Sequence, residues 1–315
     1  MRPAVLATIR LLLILPLRQM THPLPQLFVK PPTAILPMPE LPEVETTLRG
    51  IRPHLKDQRI TQVEVRNPRL RQPIPPDFAL QVSGQTIGVL SRRAKYILIA
   101  LERGCLLVHL GMTGSLRIES TDAPLRPHDH LELKLGSGQR LRFHDPRRFG
   151  LFLWLPEAPE EALTTHPLLK KLGPEPLGDA FSGEHLYALS QKRRVAVKAF
   201  IMDGAVVVGV GNIYANEALF IAGIHPAYPC NRISLAGYRL LARVIRTVLE
   251  AAIQQGGTTL RDFVREDGQP GYFTASLRIY GRTGEPCGKC GESVQQMVIA
   301  QRMSFFCPHC QKVEG

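Results

Sequence analysis

Four cysteines carry the most specific spacing in the chain. Cys287 and Cys290 form one Cys-x-x-Cys pair and Cys307 and Cys310 another, with 16 residues between the pairs. Two such turns can bring four thiolates tetrahedrally around one Zn2+, with no position left for water. An ion held that way is structural, and it lets a segment too short to bury its own core fold. Disulfides are the competing reading. The other two cysteines, Cys105 and Cys230, stand alone, and this usage suits a reducing compartment. His309, inside the second turn, is not assigned as a ligand. Between the pairs lies Arg302, whose guanidinium on a rigid hairpin could fork two phosphate oxygens. Taken alone it reads as a solvated arginine. Asn212 follows Gly209-Val210-Gly211 at an expected helix start, where free amides and the dipole favour an anion. Lys192-Arg193-Arg194 is a basic cluster that serves a polyanion or simply faces solvent.

The elements that must position these residues fall into an α+β pattern. A helix is expected over 46–55. Strand-like runs follow at 60–65, 86–90, 96–101, 105–110, 130–135, 140–144 and 151–155, separated by turn residues as in a β-sandwich. The proline-rich stretch 156–176 reads as a linker. From Phe181 the pattern turns helical: one helix over 214–222, with Asn212 as its N-cap and Gly223 as its C-cap, and a longer amphipathic one over 235–255 closed by Gly256 and Gly257. The last 35 or so residues read as a small metal-bound hairpin. Residues 1–37 hold Arg2, Arg10, Arg18 and Lys30, no acidic residue and seven prolines, and no lasting periodicity, so they are excluded from the fold.

The 315 residues suit about two domains, and 44% hydrophobic with 21% charged residues is a globular composition. Lys and Arg number 39 against 27 Asp and Glu, a net charge of +12 that favours polyanions, nucleic acid first. No stretch approaches the roughly 20 apolar residues of a membrane span. The longest candidate, 11–17, is interrupted by Pro16.

The run Met38-Pro39-Glu40-Leu41-Pro42-Glu43-Val44-Glu45-Thr46 resembles the start of the bacterial formamidopyrimidine-DNA glycosylase family, which begins immediately after an initiator methionine. The resemblance continues through Arg92-Arg93-Ala94-Lys95-Tyr96, His109-Leu110-Gly111-Met112-Thr113-Gly114-Ser115, His128-Asp129-His130 and Asp145-Pro146-Arg147-Arg148-Phe149-Gly150. Beyond the proline-rich stretch come Val208 to Tyr214, the 256–260 and 267–273 motifs and the cysteine module. The family implies a β-sandwich carrying the N-terminal helix, a helix-two-turn-helix domain and a four-cysteine zinc-finger hairpin. It implies removal of oxidised purines such as 8-oxoguanine and formamidopyrimidines from double-stranded DNA, followed by β,δ-elimination at the abasic site.

Pro39 is the implied nucleophile. An N-terminal amine has an ordinary pKa near 8, against about 10.4 for lysine, so more of it is neutral at pH 7. As a secondary amine, proline forms a cationic iminium with sugar C1′, which acidifies the C2′ proton. Glu40 is placed to donate a proton to the ring oxygen and to shuttle protons afterwards. Glu43 and Glu45 read as the usual acidic first turn of a helix. Lys95, Asn212 and Arg302 match the family's phosphate clamp. His128, Arg147 and the Lys192–Arg194 cluster match its other DNA contacts, with the choice between Arg193 and Arg194 open. Met112, Arg147 and Phe149 are assigned by the resemblance to the space left by the extruded nucleotide; by sequence alone Met112 and Phe149 read as core.

These readings give domains at 38–155 (catalytic sandwich), 177–278 (helix-two-turn-helix) and 279–315 (zinc hairpin), joined by the 156–176 linker. A monomer acting in the bacterial cytoplasm at the nucleoid is expected, with one structural zinc and no redox or nucleotide cofactor. One rival is the sister branch resembling endonuclease VIII, which removes oxidised pyrimidines. The spelling Leu41 and Val44-Glu45-Thr46 and the 256–273 region favour the purine branch. A second rival is a non-catalytic DNA binder that kept the fold. It would apply if Pro39 never becomes a free terminus. Residues 1–37 are expected to be an upstream extension from a misplaced start, or a leader removed before Pro39.

Overall fold

The first helix, α1 (Leu41–Leu55), starts before the expected 46–55 because Pro42 falls in its first turn, where a missing N–H costs no helical hydrogen bond. Its start is closed by a capping box in which the Glu40 amide donates to Glu43 Oε2 at 2.9 Å. The structure, a computed structural model, describes residues 39–257 and 276–312. The 1–37 stretch and the 258–273 motif residues lie outside the described residues.

Eight strands and a short helix follow: β1 (Ile60–Val65), α2 (Phe78–Val82), β2 (Ile87–Arg93), β3 (Tyr96–Leu101), β4 (Cys105–His109), β5 (Ser115–Glu119), β6 (Asp129–Leu135), β7 (Arg140–His144) and β8 (Leu151–Leu155). They form two antiparallel four-stranded sheets, ordered β1-β6-β7-β5 and β2-β3-β4-β8. Alternating residues from both sheets meet in one core. Leu131, Leu133, Leu141 and Phe143 come from the first and Ile97, Ile99, Leu106, Val108 and Phe152 from the second, with Val44, Leu48 and Ile51 of α1 sealing the edge. Strand β5 is unanticipated: it follows Gly114 directly, and its inward pair Leu116 and Ile118 is too short a period to stand out.

The second sheet is covered on its outer face as well. Leu98, Leu107 and Leu151 pack against Ala162 and Leu169, which belong to the proline-rich stretch read as a linker. That stretch carries helix α3 (Pro159–Thr165), opened by a proline at its first position. A sheet buried on both faces reads as near-continuous apolar strands, and Leu151-Phe152-Leu153-Trp154-Leu155 is such a run.

The helical half comprises α4 (Gly183–Ser190), α5 (Val197–Ile201), α6 (Asn212–Ala222) and α7 (Leu235–Gln254), around Phe200, Ile213, Tyr214, Leu219, Tyr238 and Ile245. Asn212 is the first helical residue of α6 and Gly211 its N-cap, one residue earlier than expected; Gly223, at φ 72°, is the left-handed C-cap anticipated. A final hairpin, β9 (Gln295–Ile299) and β10 (Arg302–Phe306), packs Phe305 and Phe306 with Val294 and Ile279 against Phe220 of α6. Among the described residues no helix is long and apolar enough to cross a membrane.

Candidate active site and zinc centre

Glu40 is buried at the N-terminus of α6. Its Oε2 accepts from the Gly211 amide at 2.8 Å and its Oε1 from the Ile213 amide at 2.9 Å. The helix start read as a phosphate site is therefore filled by the protein's own carboxylate. The Gly-x-Gly motif makes room for this. A Cβ at Gly211 would lie 2.2 Å from Glu40 Cδ, and one at Gly209 (φ 81°) 2.5 Å from Leu41 Cδ1. Burial raises the Glu40 pKa from an ordinary 4.5 to about 7. Lys95 nearby and the two amides pull it down, and Glu43 pushes it up. A carboxyl so poised holds its proton part of the time at neutral pH, as a general acid must. Pro39, its neighbour, is also buried. Glu43 is more than a first-turn acid: besides the capping box, it accepts from the Tyr214 hydroxyl at 2.6 Å. Glu45 pairs with Arg49 and Arg92 at 2.8 and 2.9 Å.

Cations converge beside Glu40. A cleft of about 220 Å³ is lined by Lys95, Lys198, Gly211 and Arg302. Lys95 follows Ala94, held at φ 55° in the β2–β3 turn, where the Ala94 amide donates to Glu175. Burial lowers the Lys95 pKa, and Arg302 adds to that, against Glu40. Arg302 stands exposed at the start of β10, directly after the two-residue turn Ala300-Gln301, whose φ values are 47° and 59°. Both are left-handed without glycine, a strain typical of places where a loop must present a side chain.

Three further residues at this cleft escaped the sequence reading. Lys198 is fully buried. Its Nζ donates to Met303 O at 2.8 Å and Ser304 Oγ at 2.7 Å, and burial lowers its pKa to about 7, helped by Arg302. Its one signal is a lysine inside the apolar run Val195-Ala196-Val197-Lys198-Ala199-Phe200. His109 lies with Lys95 on an adjoining cavity of about 180 Å³. Burial lowers its pKa to about 4, with Lys95 and Arg71 adding to it, so the ring is neutral. Its Nδ1 accepts from the Gly111 amide at 2.9 Å, which leaves the proton on Nε2 as a donor. The Tyr280 hydroxyl, whose pKa burial raises, faces the Asn212 side chain near Glu40 and Arg302.

The sandwich contributes a second group. Met112 is half-buried. Arg147 and Phe149 are exposed, with the guanidinium 4.9 Å from the Phe149 ring centre. His128 is exposed at φ 73°. In the basic cluster, Arg193 is tied to Asp203 at 2.8 Å and lies over Phe200, whereas Arg194 is exposed.

The sulfurs of Cys287, Cys290, Cys307 and Cys310 lie within 4.8 Å of one another, with Cys287–Cys310 at 3.9 Å and Cys290–Cys307 at 3.5 Å. Thiolates about 2.3 Å from a tetrahedral zinc sit roughly 3.8 Å apart, so the set fits one structural zinc. The amides of Lys289 and Cys310 point at Cys287 and Cys307 sulfurs, both at 3.4 Å. His309 is exposed and outside the set.

This combination of sandwich, helical domain, zinc hairpin and buried N-terminal carboxylate among cations is that of a DNA-repair glycosylase. Family models agree in order. The formamidopyrimidine-DNA glycosylase N-terminal domain matches residues 38–152, the H2TH domain of the same enzymes 172–264, and the zinc finger found in FPG and IleRS 284–313. The chain is 57% identical to the formamidopyrimidine-DNA glycosylase of Thioalkalivibrio sulfidiphilus and 56% to that of Pseudomonas aeruginosa, each over 275 residues covering 87% of this chain and 100% of the relative. Among solved structures, MutM (Fpg) of Thermus thermophilus is 39% identical with a TM-score of 0.78, covering 88% of this chain and 100% of that one. Lactococcus lactis Fpg in complex with abasic-site DNA is 33% identical with a TM-score of 0.80, covering 87% and 99%. The chain belongs to the formamidopyrimidine-DNA glycosylase family.

Proposed function

We propose that this protein excises oxidised purines from double-stranded DNA and cuts the strand at the resulting abasic site, with Pro39 as nucleophile and Glu40 as acid. The observation that carries the assignment of Glu40 is its carboxyl, buried beside Pro39 with a pKa raised to about 7 among three cations. The Pro39 nitrogen, as a free secondary amine, attacks C1′ and the N-glycosidic bond breaks. Glu40 gives its proton to the sugar ring oxygen, which opens the ring to the iminium. Loss of the C2′ proton expels the 3′ phosphate, a second elimination expels the 5′ phosphate, and hydrolysis frees the amine. Zinc stays outside the chemistry and holds the hairpin that presents Arg302.

Lys95, Asn212 and Arg302 would grip the phosphates flanking the extruded nucleotide, and Lys198 and His109, which line cavities shared with Lys95, would support that grip. Met112, Arg147 and Phe149 would fill the vacated stack, and His128 would contact the backbone. Within the basic cluster Arg194 suits a DNA contact better than the tethered Arg193. The domains proposed are 38–155, 177–278 and 279–315, working as a monomer on nucleoid DNA. Borohydride trapping tests the whole reading. An iminium with an 8-oxoguanine duplex reduces to a stable cross-link, whereas a non-catalytic DNA binder leaves none. A preference for oxidised pyrimidines over 8-oxoguanine would assign the protein to the sister branch instead.

A further inference from the structure

Four of the sandwich residues assigned to DNA, Met112, His128, Arg147 and Phe149, lie on segments tied to one buried residue, Asp145. Asp145 is wholly inaccessible. Its Oδ1 accepts from the Thr113 hydroxyl at 2.7 Å, and Thr113 Oγ1 accepts in turn from the Arg147 amide at 3.2 Å. Its Oδ2 accepts from the Gly150 amide at 2.8 Å. Its backbone closes the remaining links: the Asp145 amide donates to His128 O at 3.1 Å, the Arg148 amide donates to Asp145 O at 3.2 Å, and His130 Nε2 donates to that same carbonyl at 2.8 Å. The two loops so joined touch backbone to backbone. A Cβ on Gly111 (φ 67°) would lie 2.4 Å from the Gly150 nitrogen, and one on Gly150 2.7 Å from His109 O. Met112 follows Gly111 and Phe149 precedes Gly150, so both ends of the contact carry a side chain assigned to the vacated stack.

We propose that Asp145, through Thr113, is the positioning residue that locks the Met112 loop and the Arg147–Phe149 loop into one rigid wedge, and thereby sets the enzyme's preference for the base opposite the lesion. This rests on the glycosylase reading above. A guanidinium reads an orphaned base only if its backbone is held to a fraction of an ångström, and Arg147 has its amide fixed by the Asp145–Thr113 pair. Neither Asp145 nor Thr113 needs to touch DNA for this.

Thr113→Val tests it, because it keeps the shape and removes the hydroxyl that links Asp145 to Arg147. Thr113→Ser, which restores the hydroxyl, is the rescue, and Asp145→Asn is the second variant should the valine protein fail to melt cooperatively or to retain zinc. Single-turnover excision is measured on 8-oxoguanine opposite cytosine and opposite adenine. Borohydride trapping is measured on a single-stranded abasic oligonucleotide, which has no orphaned base to read. The expected result for Thr113→Val is a loss of about tenfold or more opposite cytosine. The cytosine-over-adenine ratio should fall towards one, with single-strand trapping unchanged and Thr113→Ser near wild type. A folded valine variant that keeps the wild-type ratio overturns the proposal, as does one whose single-strand trapping falls equally. Failure of the wild-type protein to trap at all would overturn the glycosylase reading instead.

Discussion

Glu40 combines two opposed influences in one carboxyl. Burial disfavours its charge, while the amides at the start of α6 and Lys95 favour it, and the balance leaves its pKa near neutrality at about 7. The sign of the pH effect follows. The acid must carry its proton to protonate the sugar ring, the protonated fraction is complete well below 7, and it is lost as pH rises through about 7. Single-turnover excision of 8-oxoguanine should therefore show a falling limb centred near that value, and a flat profile across it would remove Glu40 from the acid role. Glu40→Gln keeps the size and removes the proton. It should retain lesion-DNA affinity and lose base release by on the order of a hundredfold or more; excision at a near wild-type rate would contradict the assignment. Pro39 and Glu40 were legible in the sequence because they are neighbours in an unmistakable run. Lys198, His109 and Tyr280 were not, because what makes them unusual is burial. Lys198 is desolvated by a hairpin more than 100 residues further on in the chain, where it meets Met303 and Ser304, and no local pattern encodes that.

The zinc hairpin shows how an element is held for one side chain. Beyond its four cysteines, it is clasped by α6. Asn216 Oδ1 accepts from the Phe305 amide at 2.8 Å, and Lys289 Nζ donates to Phe220 O at 3.2 Å. Glu217, buried on α6, accepts from the amides of Arg278, Ile279 and Tyr280 at 2.9 to 3.0 Å. The helix that caps Glu40 at one end thus fixes the hairpin along its length. Cys287→Ser and Cys307→Ser should each lose zinc and DNA binding together, measured by metal content and electrophoretic shift; near one zinc per chain in both variants would refute the site. Arg302→Ala is the milder test. Zinc should stay, and the slope of log affinity against log salt should shrink by about one phosphate contact. If the slope is unchanged, Arg302 does not bind phosphate. Most elements were readable from alternation and caps, several to the residue. The misreadings have definite causes: α1 begins ahead of 46–55 because Pro42 sits in its first turn, β5 was too short to show its period, and the proline-rich 156–176 stretch covers the outer face of a sheet.

At the scale of the whole molecule, the chemistry depends on where the functional chain begins. In the full chain Pro39 is preceded by Met38, so its nitrogen is a tertiary amide with a delocalised lone pair and cannot attack C1′. Beside it, Glu40 is capped by α6, and three basic side chains line the adjoining cleft. The N-terminal family match begins at residue 38, and a relative matched over its full length covers 87% of this chain. Removing residues 1–37 takes away four basic and no acidic side chains, leaving 35 against 27, a net charge of +8 that still suits DNA. We therefore expect the active form to start at Pro39, after loss of Met38 by the usual trimming of methionine before a small residue. Expressing the full chain and a version starting at Met38, then measuring intact masses and borohydride cross-linking to an 8-oxoguanine duplex, decides it. The shorter version should appear with the mass of a chain beginning at Pro39 and should trap through that residue. The full chain should trap only in proportion to the fraction whose mass shows the same start. A protein whose mass begins at Met1 and which still cross-links in full yield would show that another amine is the nucleophile. Lys95 and Lys198, both in the cleft with pKa values lowered by burial, would then be the groups to examine.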